Sequence, residues 1–274
     1  MGTSIFISDI HLLAKKSIAK HVRDFLEELI ERSKTEKIDN LYLVGDILDI
    51  WRIRQGMNMK KAKQDRHLRC IDLILRLALK SDIRVVWVLG NHDEYMTRFC
   101  RPLGTVEKGR WEFSFGDFVV TDMIEHRTSD GKVYGVLHGH TFDFITKFSS
   151  GEKIGKLGDV LYDIMISLNS GFNRFRRLVG MSSISFAKMA KIRVKRAANF
   201  LENFERVCYN ECVSKSWDGI ITGHVHDPKL EIENDIMYAN CGCWTDDSNL
   251  TYIEEIDGEF TLRKWSPHNK RKNS

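Results

Sequence analysis

The chain predicts an α/β fold of mixed α+β character, and three observations carry that reading. Apolar runs alternate with amphipathic segments through the first ninety or so residues, the order that builds a mostly parallel sheet flanked by helices. The second half returns to strand-like runs around a single long helical stretch. Several of the apolar runs stop abruptly on a short polar cluster. In open α/β sheets ligands sit at the carboxyl ends of strands, so such clusters are where a site is expected.

In chain order, "SIFISDIHLL" reads as a buried strand that ends in a polar loop. "SIAKHVRDFLEELIERSKTEK" places Val22, Phe25, Leu26, Leu29 and Ile30 on one helical face. "NLYLVGDILDIW" is a second buried strand stopping at Gly45, "DRHLRCIDLILRLALKSD" a second helix, and "IRVVWVLGNHD" a third strand. "WEFSFGDFVVTDMI" and "KVYGVLHGHTFD" read as hairpin strands with "SDGK" as the turn between them. A helical stretch from about 153 to 215 follows. After it "DGIITGHVH", "KLEIENDIMYANCG" and "LTYIEEIDGEFTLRKW" return to strands, with "IDGEF" a hairpin turn, before a frayed basic tail.

At 274 residues, 42% hydrophobic and 29% charged, the chain has the balance of a globular protein with one large domain or a domain and a subdomain. No apolar run approaches the roughly 18 residues of a membrane span. "MGTSIFISDIHLL" lacks a basic leading segment and is expected to be a first strand rather than a signal peptide. Gly2 is not expected to be myristoylated, because Phe6 stands where Ser or Thr is wanted. The six cysteines match no zinc-finger spacing and are expected to be reduced, Cys208 and Cys212 as core residues, in a cytoplasmic protein. The net charge of +4 is uneven: residues 171–200 hold eight Lys or Arg and no acid, so the rest of the chain is net negative.

Five short stretches follow apolar runs and offer Asp, Asn or His where a loop begins: "SDIH", "GDILD", "GNHD", "LHGH" and "GHVH". Any one alone reads as a solvated turn. In "GHVH" an extended backbone would send both imidazoles to the same side, toward two adjacent ions. Carboxylates and an amide mixed with imidazoles suit Mn²⁺, Fe²⁺ or Zn²⁺ better than a thiolate site would.

Taken together, the order D-x-H, G-D-x-x-D, G-N-H-D, H-G and G-H-x-H resembles the calcineurin-like metallophosphoesterase superfamily, over residues 9 to 226. The resemblance implies a β-sandwich flanked by helices, one domain over 1–274 with a helical insertion, or lid, over 147–215. It implies two divalent metal ions, Mn²⁺ first with Fe²⁺ or Zn²⁺ as alternatives, and hydrolysis of a phosphoester. Carried onto this sequence, Asp9, His11 and His226 bind one ion, Asn91, His138 and His224 the other, and Asp46 bridges them. His92 then faces the substrate and stabilises or protonates the leaving oxygen, and Asp49 hydrogen-bonds it and fixes its tautomer. Asp93 is expected to be structural, and His140 to touch substrate, to support the site or to be a satisfied loop histidine. His21, His67, His126 and His268 fall outside the motifs.

The insertion bears on the substrate. An apolar stripe of Leu157, Leu161, Ile164, Met165 and Leu168 precedes Arg174, Arg176 and Arg177. Basic charge beside apolar surface fits a lid for an acyl chain and a peripheral contact with an anionic membrane at the inner face; helices packing on one another with a solvated basic face fit it as well. No aromatic platform accompanies the charge, so no stable nucleic-acid partner is expected. The insertion, with "GDILDIW" and "YANCGCW", is similar to the UDP-2,3-diacylglucosamine diphosphatase family of lipid A biosynthesis. That family implies a nucleotide-diphospho-lipid substrate cleaved to UMP and a lipid sugar 1-phosphate, with Trp51, Arg52, Asn169 and the insertion arginines as candidate contacts. The chain departs from the family at three places: His92 where Arg is usual, "HGH" for H-G-D, and "GCW" for G-D-W. A soluble phosphodiesterase or phosphatase acting on small nucleotides is the alternative, and a nuclease a more distant one.

Overall fold

The computed structural model of the chain describes residues 2–14, 18–49, 66–107, 110–143, 186–247 and 250–267. It divides into two compact units, Met1–His140 with Tyr209–Ser274, and Thr141–Cys208. The first unit opens with β1 (Thr3–Ile7), α1 (Ala19–Arg32), β2 (Ile38–Val44), α2 (Arg66–Lys80) and β3 (Arg84–Val88), in the predicted order. A short α3 (Thr97–Cys100) leads to β4 (Thr105–Glu107), β5 (Arg110–Phe115), β6 (Phe118–Thr121), β7 (Met123–Arg127) and β8 (Val133–Leu137). Helix α4 (Phe186–Lys215) begins in the second unit and ends in the first. It is followed by β9 (Gly219–Thr222), β10 (Lys229–Glu233), β11 (Ile236–Asn240), β12 (Thr251–Ile256) and β13 (Glu259–Lys264).

The strands form two mixed sheets, ordered β13-β12-β1-β2-β3-β6-β5-β4 and β10-β11-β9-β8-β7. β1, β2, β3 and β6 run parallel, as do β11, β9 and β8, and the antiparallel strands lie at the flanks. The sequence pattern explains the layers. Ile5, Ile7, Leu41, Leu43, Val85 and Trp87 join Val22, Phe25, Leu26, Leu73 and Leu77 of the helices in one core. Their neighbours Phe6, Tyr42, Val44, Val86 and Val88 point the other way, onto Tyr134, Val136, Ile221 and Ala239 of the second sheet. Strands buried on both faces need unbroken apolar runs, and β1, β2 and β3 have them. Each fully buried aliphatic side chain contributes about 1.5–3 kcal/mol. α1 has no side-chain cap at its start, so this packing rather than capping holds it.

Two expected strands divide. "WEFSFGDFVVTDMI" turns at Gly116, whose φ is +60°, and then leaves the first sheet at Asp122, so it supplies β5, β6 and β7. Thr121 marks the crossing, its Oγ1 lying 2.8 Å from Trp111 O and 3.0 Å from Met123 O. "KLEIENDIMYANCG" breaks at Asn234 and Asp235, with φ of 50° and 64°, into the hairpin β10–β11. These residue types tolerate the left-handed conformation that tight hairpin turns require. The "SDGK" and "IDGEF" turns form as expected, joining β7 to β8 and β12 to β13. All six cysteines are buried, and none is in a disulfide. Among the described residues no helix is long and apolar enough to cross a membrane.

Candidate metal centre

All five motifs begin where a parallel strand ends: Asp9 after β1, Asp46 after β2, Asn91 after β3, His138 after β8 and His224 after β9. The loops after β1 and β2 are laced together by backbone bonds from Asp9 N–H to Gly45 O (3.0 Å), His11 N–H to Asp46 O (2.9 Å) and Asp49 N–H to Leu12 O (2.9 Å). Asp9, His11, Asp46, His224 and His226 all have positive φ, between 48° and 69°, and make up five of the ten such non-glycine residues described. Left-handed backbone costs a residue of this kind on the order of 1 kcal/mol or more, and it clusters where geometry is held for function. It also corrects the expected alternation in "GHVH", because residues 223–228 are not extended strand. His224 and His226 diverge through a left-handed turn, one ring centroid 5.2 Å from that of His138, the other 5.6 Å from that of His11.

Asp9 and Asp46 are buried at the centre. His226 Nε2 lies 2.9 Å from Asp9 Oδ1 and His11 Nε2 3.7 Å from it. Asp46 Oδ2 lies 3.4 Å from His138 Nε2, 3.8 Å from His11 Nε2 and 3.8 Å from His92 Nε2. Backbone N–H groups of His224 and His92 donate to Asp9 Oδ2 and Asp46 Oδ1, each at 2.9 Å. Ser8 Oγ contacts Asp9 Oδ2 as well as Val44 O. Two glycines permit the approach: a Cβ on Gly90 would strike the Asp46 carboxylate, and one on Gly45 the His138 ring.

Burial opposes charge on every one of these groups, and the partners outweigh it. The imidazoles of His138, His11 and His226 hold the Asp9 carboxyl far below the ordinary carboxylate range. Asp46 is held down by His138. In return Asp49, Asp9 and Asp46 push His11 up to about 10, Asp9 with Cys243 pushes His226 up to about 10, and Asp9 with Asp46 pushes His138 up to about 9.

Asp9, His11 and His226 present ligand atoms within 4.8 Å of one another, and so do Asp9, Asp46 and His138. His138 provides the sharpest test of whether a cation fits. Its Nδ1 lies 3.0 Å from Val44 O and donates to it, so in the neutral ring Nε2 carries a lone pair. That buried Nε2 makes no hydrogen bond and faces the Asp46 carboxylate. Two acceptors facing each other in a buried site call for a proton or a metal cation between them, and the donor set suits a divalent ion.

His92 Nδ1–H donates to Asp49 Oδ1 at 2.7 Å, and its ring is partly exposed. Asn91 is exposed between Gly90 and His92, both of which adjoin Asp46. His140 has its ring centroid 5.6 Å from that of His138 and 6.5 Å from that of His224. Trp51, Arg52, Asn169, Arg174, Arg176 and Arg177 lie outside the described residues, as do His268 and most of the expected insertion over 147–215.

Sequence reasoning expected a structural Asp93 without its partners, and did not anticipate two further supports. The buried Asp93 carboxylate accepts from the backbone of Ile47 (3.0 Å), Leu48 (2.7 Å) and Gly90 (3.4 Å) and from Trp87 Nε1 (3.2 Å), fastening the "GDILD" loop to the "GNHD" loop. Asn240 Nδ2 donates to Gly223 O at 2.6 Å, bracing the turn that carries His224. Cys243 is buried against His226; burial raises its thiol, and the imidazole outweighs this and lowers it. Both lie in "YANCGCW", where Asn240 and Cys243 are single positions with no partner visible in the sequence.

A two-sheet sandwich with buried carboxylates and imidazoles gathered at its strand ends is the architecture of a metal-dependent hydrolase. The sequence profile of calcineurin-like phosphoesterases matches residues 3–228, and the chain belongs to that family. It is a metallophosphoesterase, and the family implies divalent metal ions at the site. A curated relative, the UDP-2,3-diacylglucosamine hydrolase of Psychromonas ingrahamii, is 31% identical over 93 residues, 33% of this chain and 33% of that protein. The match thus spans about a third of the relative's length. Solved structures give looser likenesses. The phosphoesterase Yfce of E. coli aligns at a TM-score of 0.43 and 13% identity, over 96% of this chain and 92% of its own. An archaeal phosphodiesterase aligns at 0.41 and 12%, over 95% and 98%.

Proposed function

We propose that the protein hydrolyses the diphosphate of a nucleotide-linked lipid, with UDP-2,3-diacylglucosamine as the reference substrate and UMP and a lipid sugar 1-phosphate as products. The local identity with a hydrolase named for that substrate supports this reading. The basic, apolar composition of residues 153–205 supports it too, since a lipid-linked substrate needs both an apolar cover and cations.

Asp9, His11 and His226 would hold one ion, and Asn91, His138 and His224 the other. Asp46 would be shared between the two ions, a role supported by its Oδ2 lying within 4 Å of imidazoles from both sets. When bound, such a pair of divalent ions activates water for in-line attack on phosphorus and neutralises charge on the attacking and leaving oxygens. The chain's own groups do the rest. The Val44 carbonyl fixes the His138 tautomer. Asp49 accepts the hydrogen bond of His92 Nδ1–H, so a ring that carries a second proton on Nε2 would pass that proton to the leaving phosphate oxygen. The P–O bond breaks toward that oxygen, and water supplies the new P–O bond. Association with the anionic inner face of the membrane and a cytoplasmic location belong to the same proposal. A soluble phosphodiesterase acting on small nucleotides is the second reading, favoured by His92 and by "HGH" and "GCW" where the lipid-cleaving family has other residues.

The test is product analysis by mass spectrometry with Mn²⁺-loaded protein. The substrates are UDP-diacylglucosamine with and without detergent, its deacylated analogue, and a nitrophenyl phosphodiester. UMP released from the acylated substrate alone is the expected result. Cleavage of the simple diester without the lipid substrate would leave the hydrolase and remove the lipid assignment.

A further inference from the structure

We infer that Asp49 is a positioning residue for two imidazoles at once: it orients His11 toward the metal pair and His92 toward the substrate through a single carboxylate oxygen. The inference rests on the metal assignment made above for His11. His11 Nδ1 lies 3.0 Å and His92 Nδ1 2.7 Å from the same atom, Asp49 Oδ1. The two rings stand nearly perpendicular, at 88°, with centroids 4.8 Å apart. Their Nε2 atoms both reach toward Asp46 Oδ2, each at 3.8 Å. Asp49 is itself buried and fixed, its N–H bonded to Leu12 O at 2.9 Å and Leu12 bridged to Leu48.

A carboxylate only accepts, so each Nδ1 must carry the proton. That choice sets both tautomers and aims both Nε2 atoms inward. Without the acceptor, a neutral His11 is free to carry its proton on Nε2 and to rotate, which takes the lone pair away from the cation. Partners behind metal-binding imidazoles are typically worth 10–100-fold in affinity or activity. His11, Asp49 and His92 each offer an atom within 4.8 Å of the others, a spacing that a cation could also fill. The two Nδ1 atoms lie 2.7 and 3.0 Å from one oxygen, within the ordinary range of N–H···O hydrogen bonds, which protons fill.

The experiment compares wild type, Asp49→Asn, Asp49→Ala, His92→Ala and the Asp49→Ala/His92→Ala double variant. Mn²⁺ affinity is read by calorimetry, and kcat and KM for a nitrophenyl phosphodiester are read at saturating Mn²⁺. Asp49→Ala is expected to weaken Mn²⁺ binding about tenfold or more while His92→Ala leaves it unchanged. At saturating metal Asp49→Ala should lower kcat with little change in KM, and adding His92→Ala should cost nothing like a second full factor. Asp49→Asn keeps an oxygen acceptor in the same shape, so it should recover part of the metal affinity and guards against a folding artefact. Wild-type Mn²⁺ affinity in both Asp49 variants would overturn the inference, as would fully multiplicative losses in the double variant. Wild type that binds no Mn²⁺ would instead sink the metal assignment beneath it.

Discussion

His92 is the most informative single residue in the site. It sits on the partly exposed side, tied by Nδ1 to Asp49, with its backbone N–H on Asp46. His92→Ala should retain both metal ions, measured by plasma emission, and lose about 10²–10⁴-fold in turnover, the usual worth of a positioned acid. Loss of bound metal in that variant would make His92 a ligand instead. At this scale most of the site was legible in the sequence, because each donor follows its strand by one to four residues and needs no distant partner to be noticed. What stayed hidden depends on packing. The shared oxygen of Asp49 follows from the lacing of two loops far apart in sequence. Asp93 collects its four donors only because two loops and the end of β3 meet around it.

Between elements, the inner faces of the two sheets meet around a buried polar group away from the metal centre. Tyr42 on β2 hydrogen-bonds His126 Nδ1 on β7 at 3.0 Å, and His126 Nε2 stands 3.4 Å from Glu255 on β12. Phe6 stacks on Tyr42 and meets His126 edge-on. Burial raises the Glu255 carboxyl, while His126 and the Gly258 N–H outweigh this and hold it below its ordinary value of 4.5. A depressed carboxylate stabilises the fold above its unfolded value and loses that contribution as pH falls through the lower folded value. Wild type should therefore lose stability more steeply than Glu255→Gln as pH drops below about 4.5, followed by urea unfolding. Parallel slopes would show that the contact adds nothing. Nothing in the sequence pairs these three residues, since each reads as one polar position in its own strand. The sheet change at Asp122 was hidden for a similar reason: an Asp between two apolar runs is compatible with a continuous strand as well as a break.

Across the whole molecule, seven parallel strands in two sheets send their carboxyl ends to one region, and that convergence makes five separate motifs one site. The order of motifs conveyed this early, and the hairpin turns announced two antiparallel pairs; the joining of the strands into two mixed sheets did not show, because period-two patterns do not record strand direction. Buried Asp9 and Asp46 repel each other unless cations lie between them, so metal should stabilise the fold. At a hundredfold excess over Kd, a bound ion adds about 2.7 kcal/mol. Stripping metal with a chelator should lower Tm by roughly 5–10 °C, reversed by Mn²⁺ and read by scanning calorimetry. The most direct measurement is anomalous diffraction at the manganese edge from Mn²⁺-soaked crystals of the full chain. The expected map has two peaks, one among Asp9, His11 and His226 and one among Asn91, His138 and His224, with Asp46 touching both. A single peak, or peaks away from Asp46, would contradict the dinuclear centre.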